Sequence, residues 1–149
     1  MKLTGFTDYS LRVLIYLAAD PSRRATIAEI AKAFDISENH LTKVVHLLGK
    51  QGWIETVRGK GGGMLLAKPP QDICIGDVVR DAEGADVPAE CFTPDGGHCA
   101  ISGCCRLKGV LAEAVNAFHA VLDNYTLADI SGSRQLRARV LTLQQVRPS

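Results

Sequence analysis

The side chains able to do chemistry crowd into one stretch, "CFTPDGGHCAISGCC", from Cys91 to Cys105. It holds four of the chain's five cysteines, with His98 among them. Cys91, Cys99 and Cys105 are separated by seven and five residues, Cys104 adjoins Cys105, and Cys74 lies upstream. Five is an odd number, so full disulfide pairing would strand one thiol. The tight Cys-x-x-Cys knuckles of zinc sites are missing, although His98 offers a fourth ligand. A catalytic thiol needs a base and a formed pocket, and this loop shows neither. Several pairs here would serve as a thiol switch. An iron–sulfur cluster suits the stretch better. It takes thiolates and tolerates wide spacing, and small residues let backbone amides approach its sulfides. Three cysteines leave one iron to find its fourth ligand elsewhere. Cys74, between Ile73 and Ile75, reads as a small core residue.

The rest of the chain must hold that loop. Its 149 residues suffice for one ordinary domain, or for a small domain with an appendage. With 46% apolar residues a packed core is expected, not disorder. The longest apolar run, near "LIYLAA", is too short to span a bilayer, and the N-terminus does not read as a signal peptide. A cytoplasmic protein is expected, and a reducing compartment disfavours structural disulfides. The net charge is only +1, but it is unevenly spread. Lys43, Lys50, Arg58, Lys60 and Lys68 face only Glu38 and Glu55 between positions 38 and 68. From 69 to 100 seven acidic residues face Arg80 alone. A basic module able to meet a polyanion precedes an acidic one that would repel it.

Apolar spacing places a helix on "TDYSLRVLIYLAAD", ended by Asp20-Pro21-Ser22. Thr26 and Glu29 have the spacing of a capping box at the head of "TIAEIAKAF". After the short break "DIS", Ser37 caps a third helix, with Leu41, Val44, Val45 and Leu48 inward and Gly52 as its stop. This is a helix-turn-helix pattern. "WIETVRG", "KGGG" and "MLLAK" then read as strand, turn and returning strand, a hairpin with a basic tip. The expected fold is therefore mainly α with a small β-hairpin wing, a winged helix-turn-helix followed by a long C-terminal dimerisation helix. Residues 1–70 form the DNA-binding region, 71–106 a short helix and the cysteine-rich loop, 107–130 the dimerisation helix, and 131–149 a tail expected to be mobile. In the helix, Leu107, Val110, Leu111, Ala114, Val115, Phe118, Val121, Leu122 and Tyr125 form one wide apolar face that a second copy would cover.

The reading helix would turn Ser37, Glu38, Asn39, His40, Thr42 and Lys43 toward the major groove, where Asn pairs with adenine and Lys with guanine or phosphate. Arg58 and Lys60 would reach phosphates or the minor groove, and the amides at the Thr26 helix start a further phosphate. Near-neutral overall charge suits a dimer on two spaced, palindromic half-sites of double-stranded operator DNA better than tight non-specific binding.

The segments "LTGFTDYSLRVLIYLA", "ISENHLTKVV", "VRGKGGGMLLAKPP", "IGDVVRDAEG", "CRLKGVL" and "LDNYTLADI" together resemble the IscR-related family of dimeric winged-helix iron–sulfur regulators, from about Met1 to Ile130. Within it the match is to the nitric-oxide-sensing repressors. The resemblance implies cluster ligands at Cys91, Cys99 and Cys105, with Asp8 of the "FTD" segment donated by the partner subunit as the fourth. It implies one iron–sulfur cluster per subunit, [4Fe–4S] in kind. It also implies that nitric oxide breaks the ligation, releases the operator and turns on detoxification genes. The IscR-like branch, which senses iron–sulfur status, takes a histidine three residues after the last cluster cysteine, and here that position is Lys108. Cys104 is an extra thiol that could replace Cys105 as a ligand, though the "CRLK" match favours Cys105, and the interval from Cys91 to Cys99 is long for the family. The competing readings are the IscR-like sensor, a zinc or thiol-redox winged-helix regulator without iron, and an enzyme or electron carrier. For the last there is no nucleotide loop or catalytic constellation.

Overall fold

In the computed structural model, which describes residues 3–84 and 87–145, the chain begins with helix α1, Gly5–Ala19. Thr4 caps it, its hydroxyl accepting from the Thr7 amide at 3.2 Å. Helix α2, Ile27–Phe34, opens on a complete capping box between Thr26 and Glu29. It stops at Asp35, whose φ of 53° is left-handed, a conformation Asp tolerates better than most residues. Helix α3, Glu38–Lys50, is capped by Ser37 and stopped near Gly52, where φ is 79°.

The apolar stripes of these three helices meet in one core. Val13, Leu14, Tyr16 and Leu17 of α1 pack with Ile30 of α2 and with Leu41, Val44 and Leu48 of α3, all essentially inaccessible to water. Each large aliphatic side chain among them stabilises the fold by about 2 kcal/mol. Strands β1, Ile54–Val57, and β2, Gly63–Leu66, form the antiparallel wing, with Ile54 opposite Leu66 and Val57 opposite Gly63. Ala25 exchanges backbone hydrogen bonds with Met64 at 3.1 and 2.8 Å, so the linker before α2 closes the base of the wing.

A short turn, Pro70–Asp72, leads to helix α4, Ile75–Glu83, which buries Ile75, Val78 and Val79 and packs against α1. The cysteine loop follows, then helix α5, Arg106–Leu122. The long helix expected over 107–130 is broken. Ile75 donates its amide to Tyr125 at 2.9 Å, and Leu127 donates to Ile73 at 2.8 Å. This bridge holds residues 125 and 126 out of helical geometry. A second capping box, Thr126 with Asp129, then starts helix α6, Leu127–Ser131.

The tail also differs from expectation. Arg134–Gln145 form helix α7, docked on α1 and α2. Val140 is buried, and Gln144 donates to the Tyr16 carbonyl at 3.1 Å. The rest of the expected tail, 146–149, lies outside the described residues. None of the helices among the described residues is long and apolar enough to cross a membrane.

Candidate functional site

Burial of Leu41, Val44, Val45 and Leu48 fixes the rotation of α3 and leaves Ser37, Glu38, Asn39, His40, Thr42 and Lys43 exposed. By their chemistry, exposed Asn39 would suit a base edge and exposed Lys43 a base or a phosphate. The Thr42 hydroxyl bonds back to the Glu38 carbonyl at 2.8 Å, which engages its proton within the helix. His40 lies stacked on Tyr9 of α1, ring centroids 6.4 Å apart and planes 25° from parallel.

At the head of α2 the geometry narrows one expectation. The Thr26 hydroxyl accepts from the Glu29 amide at 3.2 Å, and the Thr26 amide donates to the Glu29 carboxylate at 2.7 Å. Both polar groups of Thr26 are spent in the cap, so a phosphate there would meet the first-turn amides of Ile27 and Ala28. Burial acts to raise the Glu29 pKa, but hydrogen bonds from Thr26 and Arg23, with the charge of Arg23, outweigh it and hold the carboxyl below its ordinary value.

The wing tip carries exposed Arg58 and Lys60 on a backbone that turns through Gly59 and Gly61, with φ of 93° and 75°. A Cβ at Gly62 would stand 2.3 Å from the Val57 carbonyl, so only glycine closes this turn. Arg24 donates to the Gly61 carbonyl at 3.1 Å, which adds a third cation beside the tip. Sequence reasoning missed it, because nothing local ties position 24 to position 61.

Two carboxylates, Glu90 and Asp95, fold the first part of the cysteine loop. Glu90, beside Cys91, accepts from the His98 amide at 2.8 Å, beside Cys99. The seven-residue interval is thereby closed at its two ends. Gly97 sits so near Glu90 that a Cβ there would come within 2.7 Å of it. Further turns, Ser102 amide to Cys99 carbonyl at 3.1 Å and Cys104 amide to Ile101 carbonyl at 3.0 Å, carry the chain to Cys105. A hydrogen bond from the Thr93 hydroxyl, with another from the Gly97 amide, keeps the Asp95 carboxyl below its ordinary pKa.

Cys105 occupies the N-cap of α5 with no side-chain capping bond. The first turn of α5 holds no acidic residue and carries Arg106 and Lys108. An anionic group held at Cys105 would thus meet the positive end of a 17-residue helix. The Cys104 thiol points back to the Ile101 carbonyl at 3.5 Å. Lys108 lies over the Phe92 ring, 5.8 Å from its centre. All five cysteines are free, and Cys91, Cys99 and Cys105 are each partly accessible.

Asp8 lies on the first turn of α1 and is held by Arg12, whose Nη2 and Nε stand 2.7 and 3.2 Å from its two oxygens. Both side chains are nearly half exposed, so this pair contributes little stability. Among the described residues, the one trio of ligand atoms within 4.8 Å of one another is Cys74, Asp77 and Asp123. There Arg80 already bonds both carboxylates, at 2.7 and 2.6 Å, and the group serves as the joint between α4 and α5. Cys74 is half-buried at this joint, its thiol 3.8 Å from the Asp123 carbonyl, rather than in the core. The loop cysteines and Asp8 are not gathered at single-ion distance, which a zinc site would need. Three free thiols in a glycine-bearing loop at a helix N-terminus fit the wider, anionic iron–sulfur group.

The sequence profile of Rrf2, described as "Iron-dependent Transcriptional regulator", matches residues 3–133. The HTH-type transcriptional regulator NsrR of Bacillus subtilis (strain 168) is 48% identical over 146 residues, covering 97% of this chain and 100% of that one. NsrR of Geobacillus kaustophilus is 50% identical over 135 residues, covering 90% and 92%. Among solved structures, CymR, the global cysteine regulator of B. subtilis, superposes with a TM-score of 0.70 at 27% identity, over 89% of this chain and 97% of that one. T. potens IscR superposes with a TM-score of 0.69 at 25% identity, over 100% and 94%. These likenesses place the molecule among helix-turn-helix regulators and not among enzymes. The chain belongs to the Rrf2 family of transcriptional regulators.

Proposed function

We propose that the protein is a nitric-oxide-responsive repressor that binds operator DNA as a homodimer while an iron–sulfur cluster is held in each subunit. One observation carries the reading: a winged reading head is joined, in one chain, to a loop presenting three free thiols at the N-terminus of a helix with an uncovered apolar face. Cys91, Cys99 and Cys105 would hold the cluster, and Asp8 of the partner would complete it. Cys104 is the poorer candidate, since its thiol is turned to its own loop backbone. The cluster supplies iron able to react with nitric oxide. Asp8, a harder and more labile ligand than thiolate, marks the reactive position. The IscR-like ligand set finds no support, because Lys108 lies over Phe92 where that branch places a histidine.

The chain's own residues supply the rest. Leu107, Val110, Ala114, Ala117 and Val121 are exposed on α5 and alternate at three and four residues, the seam of a two-helix coiled coil. Two alanines at its centre allow close approach. In such a dimer Asp8 leaves Arg12 to serve the partner's loop, which ties one subunit's thiols to the other's reading head. When Asp8 is released it returns to Arg12, and the two α3 helices lose their fixed operator spacing.

The test is operator binding and iron content of anaerobically prepared protein, wild type against Asp8→Ala. Wild type should lose operator affinity on addition of nitric oxide, while Asp8→Ala should hold iron less firmly and respond differently. Identical iron retention, nitric oxide response and operator binding in the two proteins would refute the assignment of Asp8.

A further inference from the structure

The helix that leads into the cysteine loop is bonded to both parts of the reading head. Asp81 of α4 accepts from the indole N–H of Trp53 at 2.8 Å, at the foot of the wing. Two residues on, Glu83 accepts from the Thr4 amide at 2.9 Å and from the Thr4 hydroxyl at 3.2 Å, across 79 positions of sequence. Thr4 is the N-cap of α1: its own hydroxyl accepts from the Thr7 amide, and its carbonyl from the Asp8 amide at 3.1 Å. The next residue, Tyr9, stacks on His40 of the reading helix. A groove between α1 and α3, lined by Gly5, Phe6, Tyr9, His40 and Lys43, marks where the two helices meet at this end.

We propose that Glu83 is a positioning residue, through which the stem of the cysteine loop sets the first turn of α1 and, by Tyr9 and His40, the start of the reading helix. The link runs within one subunit, alongside the crossed link that Asp8 makes to the partner. Glu83 is the last residue of α4, immediately before Gly84 and the loop, so any shift of the loop stem moves its carboxylate. A single carboxylate oxygen that accepts from both the amide and the hydroxyl of the cap couples that turn to the end of α4. His40 is thereby assigned to the relay rather than to a base edge. The inference rests on the iron–sulfur reading for what moves the loop, though not for the bonds themselves.

The test is amide hydrogen exchange of the full-length protein, with iron and sulfide reconstituted and after their removal, for wild type, Glu83→Gln and Glu83→Ala. In wild type, removal should speed exchange in the loop and at residues 4–8 together. In Glu83→Ala, exchange at 4–8 should be roughly tenfold faster in both forms and no longer follow the loop, whereas Glu83→Gln, which keeps an acceptor oxygen, should stay within about threefold of wild type. Residues 4–8 that still track the loop in Glu83→Ala would overturn the proposal. If the wild-type loop ignores iron and sulfide, the iron–sulfur reading falls, and the iron-free proteins decide. Faster exchange at 4–8 with weaker operator binding in Glu83→Ala, restored by Glu83→Gln, upholds the role of Glu83. Unchanged exchange there overturns it.

Discussion

Helix α3 has 13 residues and buries four of them within its own chain; helix α5 has 17 and buries none. The reading head has its caps closed and its apolar stripes in one core, shared with α4, α6 and Val140 of α7. The α5 arm leaves Leu107 and Val110 each 60% exposed and Val121 57% exposed, and it presents free thiols at its N-terminus. Such a helix is held in place by Phe118 and Leu122 on its inner side, while its outer side meets no partner among the described residues. The contrast separates what one chain folds from what, on the proposed function, a second chain and a bound group would finish.

Substitutions should therefore act on different quantities in the two regions. Leu41→Ala, at the centre of the head, should cost about 3 kcal/mol of folding stability, read by denaturant unfolding. Val110→Asp should change the stability of the isolated subunit by no more than about 0.5 kcal/mol. It should nevertheless weaken the dimer by about 2 kcal/mol or more, read by sedimentation across a dilution series. A Val110→Asp protein that unfolds early but still pairs would break the comparison.

Asn39→Ala should lose about 1–3 kcal/mol of operator affinity at one base position, with iron content and dimer mass unchanged. Arg58→Ala should weaken binding evenly across sequences and lower the salt slope of the binding constant by about 0.9 per subunit, if the wing meets one phosphate.

The smallest effect concerns pH. The folded state holds the Glu29 carboxyl below its ordinary value of 4.5. Its contribution is therefore full above pH 4.5 and is lost as pH falls through the lower folded value. Glu29→Gln should flatten the acid side of the stability curve and leave neutral operator binding nearly unchanged. A steeper acid limb in the variant would contradict the cap geometry.

How far these features could be read beforehand follows the range of the interactions that make them. Caps are local: Thr26 with Glu29 and Ser37 before α3 were visible in the sequence, as was the glycine-rich tip between β1 and β2. The break after Leu122 was not visible, because the apolar period continues across it. It is imposed by backbone pairing with Ile73 and Ile75, some fifty positions away. Leu136, Val140 and Leu143 carry a helical period, but α7 is fixed by Gln144 and Arg137 reaching carbonyls of α1. At the candidate site the thiols were legible, whereas Glu90 closing the loop, Arg24 beside the wing and Glu83 on the Thr4 cap arise only from the fold. The single apolar face expected on α5 proved to be two. Leu111, Val115, Phe118 and Leu122 turn inward, and the heptad seam turns outward.

The most direct measurement is a native mass spectrum of anaerobically prepared protein before and after nitric oxide. A dimer carrying one iron–sulfur cluster per subunit, with that mass lost on exposure, is the predicted result. A dimer carrying zinc, or bare thiols indifferent to nitric oxide, would leave the reading head as described and contradict the switch.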